Sequence, residues 1–300
     1  MTQDDTARVW RSLLYMPADN PKFLAKAQDR GADALILDLE DSVAPHNKAA
    51  ARATCRQAIA NLAHGPADIL VRINAPLRHA IRDLEAVVQP GLNALFLPKT
   101  ESAGMLIALD EVVASLEAEA GIPCGSVGFV PMIETPKALL AAERIAAATG
   151  RNVALILGGE DFATAAHLTP SAETLTPPKL QVALAARAAG LMPIGILDTV
   201  ADFSDPEVMY HTAVRSAAFG FVGATCIHPT MVAPLNRAFS PSTDDISAAK
   251  QVVAVMEAAW KTNAGAAQIN GKMIDMPVYE RAKDVLARGA AIDHKLSRSG

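Results

Sequence analysis

The stretch Phe129-Val130-Pro131-Met132-Ile133-Glu134-Thr135-Pro136 joins an apolar run, a carboxylate and a proline. A second stretch follows the same plan, since the apolar run 153–157 leads into Gly158-Gly159-Glu160-Asp161. Continuous apolar runs of this length indicate strands that are covered on both faces, as in a parallel sheet. Proline suits the first turn of a helix. Both stretches therefore predict a strand that ends at an acidic residue, and the first also predicts the helix that follows.

Six further apolar runs of the same kind give eight strand-like segments in all. They cover residues 13–16, 34–39, 69–73, 94–97, 127–133, 153–157, 194–197 and 221–227. Helix-like segments lie between them at residues 22–30, 48–62, 102–120, 137–148, 179–189 and 207–219. Eight strands alternating with helices favour a (β/α)8 TIM barrel over an open sheet. No GxGxxG motif follows an early strand, which argues against a dinucleotide-binding fold.

The chain continues for about 70 residues beyond the eighth predicted strand. A helical pattern covers residues 244–261, Asn270-Gly271 predicts a turn, and a second helix begins near Val278. We expect residues 1–230 to form the barrel and catalytic domain. Residues 231–300 are expected to form a C-terminal helical extension that serves as an arm or lid.

Composition and charge argue against several classes of protein and of binding site. A net charge of −5 argues against nucleic acid as the main partner. No run of about 18 apolar residues lacks a charge, so no membrane span is expected. Residues 1–11 lack the apolar core of a signal peptide, which makes the cytoplasm the expected location. The three cysteines are far apart in the sequence and fit no zinc spacing.

Glu134 and Asp161 follow two successive predicted strands. Neighbouring strands lie about 4.8 Å apart, so the two carboxylates are expected to face each other. Carboxylates that close repel one another unless a cation lies between them. A hard divalent ion held by oxygens fits best, Mg²⁺ first and Mn²⁺ as an alternative. The other interpretation is that one acid caps the next helix while the other pairs with an arginine.

Charged residues lie at or just after the ends of most of the other predicted strands as well. They are Asp38, Glu40, Asp41, Arg72, Lys99, Asp198 and His228, with Asn74 two residues after Arg72. Strand alternation places Asp38 and Glu40 on one face. Arg72 can be a buried partner for one of these acids, or its planar guanidinium can hold a substrate carboxylate or a developing enolate oxygen. Both roles are compatible.

The remaining polar residues at strand ends have simpler interpretations. Lys99 is interpreted as neutralising the acids around it rather than as a Schiff-base nucleophile. His228, which precedes Pro229, is interpreted as fixing its loop through a hydrogen bond rather than as a general base. Asp198 is interpreted as a structural acid at the end of the barrel.

Eight short blocks, taken in order, resemble the HpcH/HpaI aldolase–citrate lyase superfamily, in its citrate lyase β-subunit-like branch. They are RSLLYMP (11–17), LDLEDSVAP (37–45), VRIN (71–74), LPK (97–99), IETP (133–136), GED (159–161), IHP (227–229) and GKMIDMP (271–277). Each block alone is a weak signal, whereas eight in the right order are specific.

The resemblance implies a set of site residues. Glu134 and Asp161 would bind Mg²⁺, and Arg72 and Glu134 would contact the substrate together with Asn74 and Arg11, the last near the CoA end of the site. Asp275 would come from a neighbouring subunit's C-terminal arm, because malyl-CoA lyase relatives use the matching aspartate in this way. The resemblance also implies a homotrimer or a larger assembly such as a hexamer.

The activity that the resemblance implies is the cleavage or formation of a 3-hydroxyacyl-CoA thioester. Malyl-, citramalyl- or citryl-CoA would yield acetyl-CoA and a 2-oxoacid. Arg72 would stabilise the enolate, Asp275 would act as acid and base, and Glu40 and Asp41 would orient Arg72 or metal-bound water.

Several alternatives to this activity stay open. The chain could be a citrate lyase β subunit that acts on an acyl-carrier-protein thioester, or it could have malyl-CoA thioesterase or malate synthase activity. An aldolase of free 2-oxoacids and a non-catalytic binding protein are weaker alternatives. Two departures from the family pattern bear on which acyl group fits: Ala224-Thr225-Cys226 stands before the IHP block, and Lys179 is the nearest cation where an arginine is common.

Overall fold

The computed structural model describes residues 8–199, 204–262 and 264–297. The chain divides into two compact units, residues 10–239 and residues 1–9 with 240–300. The first unit therefore extends beyond the expected boundary at residue 230. The reason is that helix α10 (Val232–Ala238) packs against helix α9 (Pro206–Ala218) and against the first strand of the barrel.

The first unit is built on eight parallel strands. They are β1 (Ser12–Pro17), β2 (Ala34–Asp38), β3 (Asp68–Arg72), β4 (Ala94–Leu97), β5 (Gly128–Ile133), β6 (Ala154–Leu157), β7 (Met192–Ile194) and β8 (Ala224–Cys226). The pairing order runs from β7 through β6 down to β1 and then to β8. An isolated parallel bridge between Ile194 and Gly223 brings the two edges together. The predicted (β/α)8 barrel is thus confirmed.

The helices of this unit follow the strands in turn. They are α1 (Pro21–Leu24), α2 (Lys48–Leu62), α3 (Leu77–Val87), α4 (Ala103–Ala120), α5 (Pro136–Leu140), α6 (Ala142–Ala146), α7 (Gly159–Ala165), α8 (Ala172–Ala188), α9 and α10. The predicted segment 22–30 is a single turn of α-helix followed by a 3-10 helix, Gln28–Arg30. The predicted seventh strand at 194–197 instead ends at Ile194, because Gly195 takes a φ of +151° that leaves the extended conformation.

Alternation along the strands separates two apolar cores. Ala34 and Ile36 of β2 point into the barrel, whereas Leu35 and Leu37 pack against the surrounding helices. The same alternation continues to the carboxyl ends of the strands, so the inward positions there lie above the interior core. This register decides which polar side chains face the mouth of the barrel.

The second unit contains helix α11 (Thr243–Lys261), a hairpin of β9 (Ala267–Ile269) and β10 (Lys272–Ile274), and helix α12 (Met276–Ser297). The predicted turn is present, and Asn270 and Gly271 both have positive φ, as a two-residue hairpin turn requires. Met256 and Tyr279 pack with Ile274 in a small apolar cluster. Among the helices that the structure describes, none combines the length and the apolar character that a bilayer crossing requires.

Candidate active site

The carboxyl ends of the barrel strands surround a cavity of about 500 Å³. Its wall includes Tyr15 from β1, Asp38 from β2 and Arg72 from β3. Further around the barrel the wall includes Glu134, which follows β5, and Asp161, which follows β6. Active sites of TIM barrels form at this end of the strands, so this cavity is the candidate active site.

Arg72 is held by three carboxylates. Its Nε and Nη2 donate to the two oxygens of Asp38, each at 2.7 Å. Its Nη1 lies 3.0 Å from Oε2 of Glu40 and 3.3 Å from Oδ2 of Asp41. The expected pairing of Arg72 with Asp38 or Glu40 is therefore present, and the expected orientation of Arg72 by Glu40 and Asp41 has the required geometry. Contact of Arg72 with a substrate stays a prediction.

The two acids nearest Arg72 are affected by burial in different ways. Burial alone would raise the pKa of Asp38, but its hydrogen bonds to Arg72 hold that pKa below the usual value. Burial raises the pKa of Glu40, and the attraction of Arg72 only partly offsets it. Asp38 is thus the fixed anionic partner of the guanidinium, while Glu40 is the more easily protonated acid.

Glu134 is 2% exposed and follows the inward residues Val130 and Met132 of β5. Its Oε2 accepts a hydrogen bond of 2.5 Å from the main-chain amide of Lys99. Burial raises the pKa of Glu134 to about 8, with further contributions from the negative charges of Asp161 and Glu40. The carboxylate thus lies in a place where its negative charge is poorly compensated.

Gly158 lies directly against this carboxylate. A Cβ atom at position 158 would lie 2.5 Å from Oε1 of Glu134, closer than any side chain allows. The amide of Gly158 donates to the carbonyl of Ile133 at 3.0 Å, so the loop after β6 is tied to the end of β5. Glycine at this position therefore makes room for Glu134.

Asp161 lies in the first turn of α7, and its side chain is 43% exposed at the cavity. The Nζ of Lys99 lies 3.8 Å from Oδ1 of Asp161 and 3.3 Å from Oε1 of Glu40. Lys99 thus neutralises acids, as its position in the sequence indicated. Its backbone has a φ of +50°, a conformation that is uncommon outside glycine and that directs its amide to Glu134.

The acid pair fits a hard divalent cation. Burial and the negative charge of Asp161 both destabilise the charged form of Glu134. A cation between the two carboxylates would offset the lost solvation and the repulsion. Within the described parts of the chain, no group of three or more His, Cys, Asp or Glu side chains is arranged to hold a metal. The other ligands of such a cation would be water and substrate oxygens, which Mg²⁺ commonly retains.

Arg11 does not belong to this cavity, which corrects the expectation that it contacts the substrate. It directly precedes β1 and therefore lies at the amino end of the barrel, far from the mouth. Its Nε and Nη2 donate to the two oxygens of Asp33, each at 2.8 Å, and the side chain is 5% exposed. The cause is the length of β1, whose six residues separate Arg11 from the carboxyl end of the strand.

Asn74 is also held by the fold rather than by the cavity. Its main-chain amide and its Nδ2 both donate to Oδ2 of Asp83, each at 2.7 Å. It is 6% exposed and is not part of the cavity wall. The expectation that Asn74 binds substrate is therefore corrected to a structural role at the start of the loop after β3.

The loop residues His228 and Asp198 agree with their structural interpretations. Nδ1 of His228 lies 2.7 Å from the hydroxyl of Thr230, within the same loop. Oδ1 of Asp198 accepts from the amide of Thr199 at 2.7 Å.

Two residues that line the cavity, Lys179 and Tyr15, were not predicted as site residues from the sequence. Lys179 is 5% exposed and its Nζ donates to the carbonyls of Ile196, at 2.8 Å, and of Asp198. Burial lowers the pKa of Lys179 to about 8. A lysine inside an Ala-rich helix gives no sequence signal of burial. Strand alternation from Leu13 would have placed Tyr15 on the inner face.

Asp275 lies in the second unit. Its Oδ1 accepts a hydrogen bond of 3.3 Å from the amide of Val278 in the first turn of α12. Its contribution to the cavity of a neighbouring subunit stays a prediction.

Comparison with known proteins gives a consistent result. Residues 11–229 match the sequence profile of the family described as HpcH/HpaI aldolase/citrate lyase. Citrate lyase subunit beta of Leuconostoc mesenteroides subsp. cremoris is 31% identical, with 93% of each chain covered. L-malyl-CoA/beta-methylmalyl-CoA lyase of Cereibacter sphaeroides is also 31% identical, over 95% of this chain and 96% of the relative.

A solved structure resembles the chain over nearly its whole length. It is protein CitE from Mycobacterium tuberculosis, in complex with magnesium, acetoacetate and coenzyme A. The TM-score is 0.73 and the identity is 30%, with 95% of this chain and 99% of that chain covered. The similarity thus extends over both units of the chain and not only over the barrel.

Proposed function

The chain belongs to the HpcH/HpaI aldolase/citrate lyase family, and from that membership we propose that it is a magnesium-dependent carbon–carbon lyase. Its substrate is a 3-hydroxyacyl-CoA thioester such as malyl-, citramalyl- or citryl-CoA. Cleavage gives acetyl-CoA and a 2-oxoacid, and the same site can run the reaction in the direction of synthesis.

One observation carries the proposal. Glu134 and Asp161, which follow adjacent strands, line the same cavity as the guanidinium of Arg72. A carbon–carbon lyase of this kind needs a place for the oxygens of the 2-oxoacid and a positive charge for the enolate that leaves. The acid pair would supply the first through the divalent cation that it holds, and Arg72 supplies the second.

Glu134 and Asp161 are the residues that would hold Mg²⁺, or Mn²⁺ in its place. When bound, the ion supplies Lewis-acid polarisation of the 2-oxoacid carbonyl. Gly158 and the amide of Lys99 keep Glu134 in position for this role. The magnesium complex of the similar CitE protein supports the choice of metal.

Arg72 stabilises the negative charge that develops on the thioester oxygen as the carbon–carbon bond breaks. Its guanidinium is already oriented by Asp38, Glu40 and Asp41, so little reorganisation is needed when the charge appears. A preorganised donor of this kind lowers the barrier by about 3 kcal/mol. Glu40 and Asp41 act here by holding Arg72 or an adjacent water molecule.

Asp275 is the acid and base that we assign to the acetyl methyl group. It takes a proton from the methyl carbon in the direction of synthesis and returns one in cleavage. We assign it to the cavity of a neighbouring subunit, in a homotrimer or hexamer. A cytoplasmic location is part of the same proposal.

A second candidate substrate is an acyl-carrier-protein thioester in place of the CoA thioester. It is favoured by the similarity to citrate lyase subunit beta over almost the whole chain. Both carriers present the same acyl thioester to the cavity, so the acid pair and Arg72 keep the same roles. Carrier dependence of the cleavage rate distinguishes the two.

The test is to incubate the protein with Mg²⁺ and a panel of malyl-, citramalyl- and citryl-CoA and to identify the products. Release of acetyl-CoA together with a 2-oxoacid supports the lyase. Free CoA instead of acetyl-CoA indicates thioesterase or malate synthase activity. A protein that leaves every CoA ester intact but cleaves the carrier-protein thioester supports the second candidate. Turnover of none of these substrates would refute the proposed function.

A further inference from the structure

Tyr15 occupies an inward position of β1 and lines the cavity. Leu13, two residues earlier, belongs to the interior core of the barrel, and alternation brings Tyr15 to the same face. The ring meets Phe96 edge to face, with centroids 6.1 Å apart and an interplanar angle of 73°. The Cζ of Arg72 lies 5.0 Å from the centre of the Tyr15 ring. Packing on two sides therefore fixes where the phenol points.

The hydroxyl of Tyr15 is not used by the fold. Among the residues that the structure describes, none forms a hydrogen bond with it, although Arg72, Asp38 and Glu134 around it are all paired. Because Tyr15 lines the 500 Å³ cavity, a partner can come from a bound ligand.

The hydroxyl of Tyr15 is protonated and can therefore donate a hydrogen bond. Burial raises the pKa of Tyr15 far above its usual value; the positive charge of Arg72 opposes this shift, and the negative charges of Asp38, Glu134 and Glu40 add to it. The phenol therefore keeps its proton at any physiological pH.

A second cavity of about 320 Å³ adjoins the first, and Tyr15 lines both. The shared wall consists of Tyr15, Met16, Pro17 and Ile227. Beyond it, the second cavity is lined by Phe23, Arg30 and the loop of His228. A thioester has a small acyl head and a long carrier arm. With the head beside the acid pair and the arm in the second cavity, the thioester group lies at Tyr15.

We propose that Tyr15 is a catalytic hydrogen-bond donor to the thioester carbonyl oxygen, which rests on the lyase function proposed above. The bond between the carbinol carbon and the carbon next to the thioester breaks, and its electron pair moves onto the thioester oxygen as an enolate. The carbinol oxygen becomes the keto oxygen and its proton leaves to solvent. The enolate carbon then takes up one proton. Tyr15 keeps its own proton throughout and, with Arg72, completes a pair of donors for one oxygen.

The test is Tyr15→Phe, which removes only the hydroxyl. We expect kcat for thioester cleavage to fall about 10²-fold, as on loss of one oxyanion donor, with KM changed less than about threefold. The melting temperature should not fall, since the fold does not use this hydroxyl. The control is Tyr210→Phe on α9, whose ring lies beneath Arg237 at 3.6 Å and away from the cavity, and it should keep wild-type kcat.

Tyr15→Phe with the wild-type kcat overturns the inference while leaving the lyase function intact. A wild-type protein that cleaves no thioester overturns the lyase function and the inference with it. If Tyr15→Phe melts below the assay temperature, both proteins are compared at a lower temperature at which circular dichroism shows both folded, and the same two outcomes decide.

Discussion

The main-chain amide of Lys99 and the carboxylate of Glu134 are joined by a hydrogen bond of 2.5 Å. A donor to a carboxylate favours its charged form, yet the pKa of Glu134 is raised to about 8, because burial and the charges of Asp161 and Glu40 outweigh the bond. The fold thus positions this carboxylate without compensating its negative charge, so the metal-free group keeps its proton up to about pH 8. A cation between Glu134 and Asp161 would compensate the charge and displace that proton, which is why the pair is the candidate cation site.

Glu134→Gln should abolish the response of the protein to magnesium. For the wild type, Mg²⁺ at about one hundred times its Kd should stabilise the fold by about 2.7 kcal/mol, which appears as a raised melting temperature. The variant keeps the shape of the side chain but loses the charge, so this rise should disappear. Glu119→Gln, at an exposed position of α4, is the matched control and should keep it. An unchanged magnesium response in Glu134→Gln would remove this residue from the metal site.

In the presence of a chelator, Glu134 should make stability depend on pH. Its pKa is raised from 4.5 to about 8 in the folded protein, so the folded state holds a proton that the unfolded chain has released. The stabilising contribution is fully present below about pH 4.5 and is lost as the pH rises through about 8. The melting temperature of the wild type, measured relative to that of Glu134→Gln, should therefore fall between these values. A constant difference would contradict the assigned environment.

Gly158→Ala should impair catalysis through Glu134. The added Cβ would meet Oε1 of Glu134 at 2.5 Å, so the carboxylate must move. Misplacement by about 1 Å typically costs about 10²-fold in rate, and the magnesium-dependent rise in melting temperature should shrink as well. Gly104→Ala, at a helical position with no atom within 4 Å, is the control and should keep full activity. Wild-type kinetics in Gly158→Ala would show that catalysis does not depend on the present position of the Glu134 carboxylate.

The origin of Asp275 can be tested by mixing two inactive variants. Asp275→Asn and Arg72→Ala each damage every site of their own oligomer. If Asp275 serves a neighbouring subunit, mixed oligomers contain some sites in which both residues are intact, and activity should return after the subunits are mixed and reassembled. Recovery is measured as acetyl-CoA release. No recovery, with mixed oligomers demonstrated by differently tagged chains, would place Asp275 in the site of its own chain or outside the mechanism.

Arg11→Ala should weaken the fold and leave the chemistry unchanged. The substitution leaves Asp33 buried without its arginine, which typically costs about 3–5 kcal/mol. Lys137→Ala breaks an exposed pair with Glu101 and should cost less than about 1 kcal/mol. Both are measured by urea unfolding. KM for the thioester should stay near the wild-type value in Arg11→Ala, and a large rise would restore Arg11 to substrate binding.

Much of the fold was predictable because strands buried on both faces read as apolar runs, and each of the eight predicted runs overlaps a strand, although the seventh shares only Ile194 with β7. The limits of the elements were less predictable. The helix expected at residues 179–189 begins at Ala172 instead, with a capping box between Ser171 and Thr174, so that Pro177 and Pro178 lie within its early turns. A capping box depends on the geometry of a few side chains, which a sequence pattern does not reveal. Two adjacent prolines, in contrast, are a visible signal against a helix.

The site was predictable where chemistry and strand position agree. Glu134, Asp161 and Arg72 line the cavity and Glu40 pairs with Arg72, and each was noticed because a charge at the end of an apolar run stands out. Their roles in catalysis stay predictions. Arg11 was assigned wrongly because its motif spans a whole strand, and a motif does not reveal which end of the strand faces the cavity. Tyr15 was missed because an aromatic residue inside an apolar run looks like any other core residue.

The pairing of Arg11 with Asp33 at the amino ends of the strands has a consequence for how this protein can diversify. The Arg11–Asp33 ion pair stabilises the amino end of the barrel, whereas the candidate active site lies in the loops at the carboxyl end. Randomising loop positions that line the mouth, with Arg11, Asp33 and the acid pair left untouched, is therefore a practical route to new acyl selectivity. The residues that stabilise the barrel are therefore different from the loop residues that would be varied.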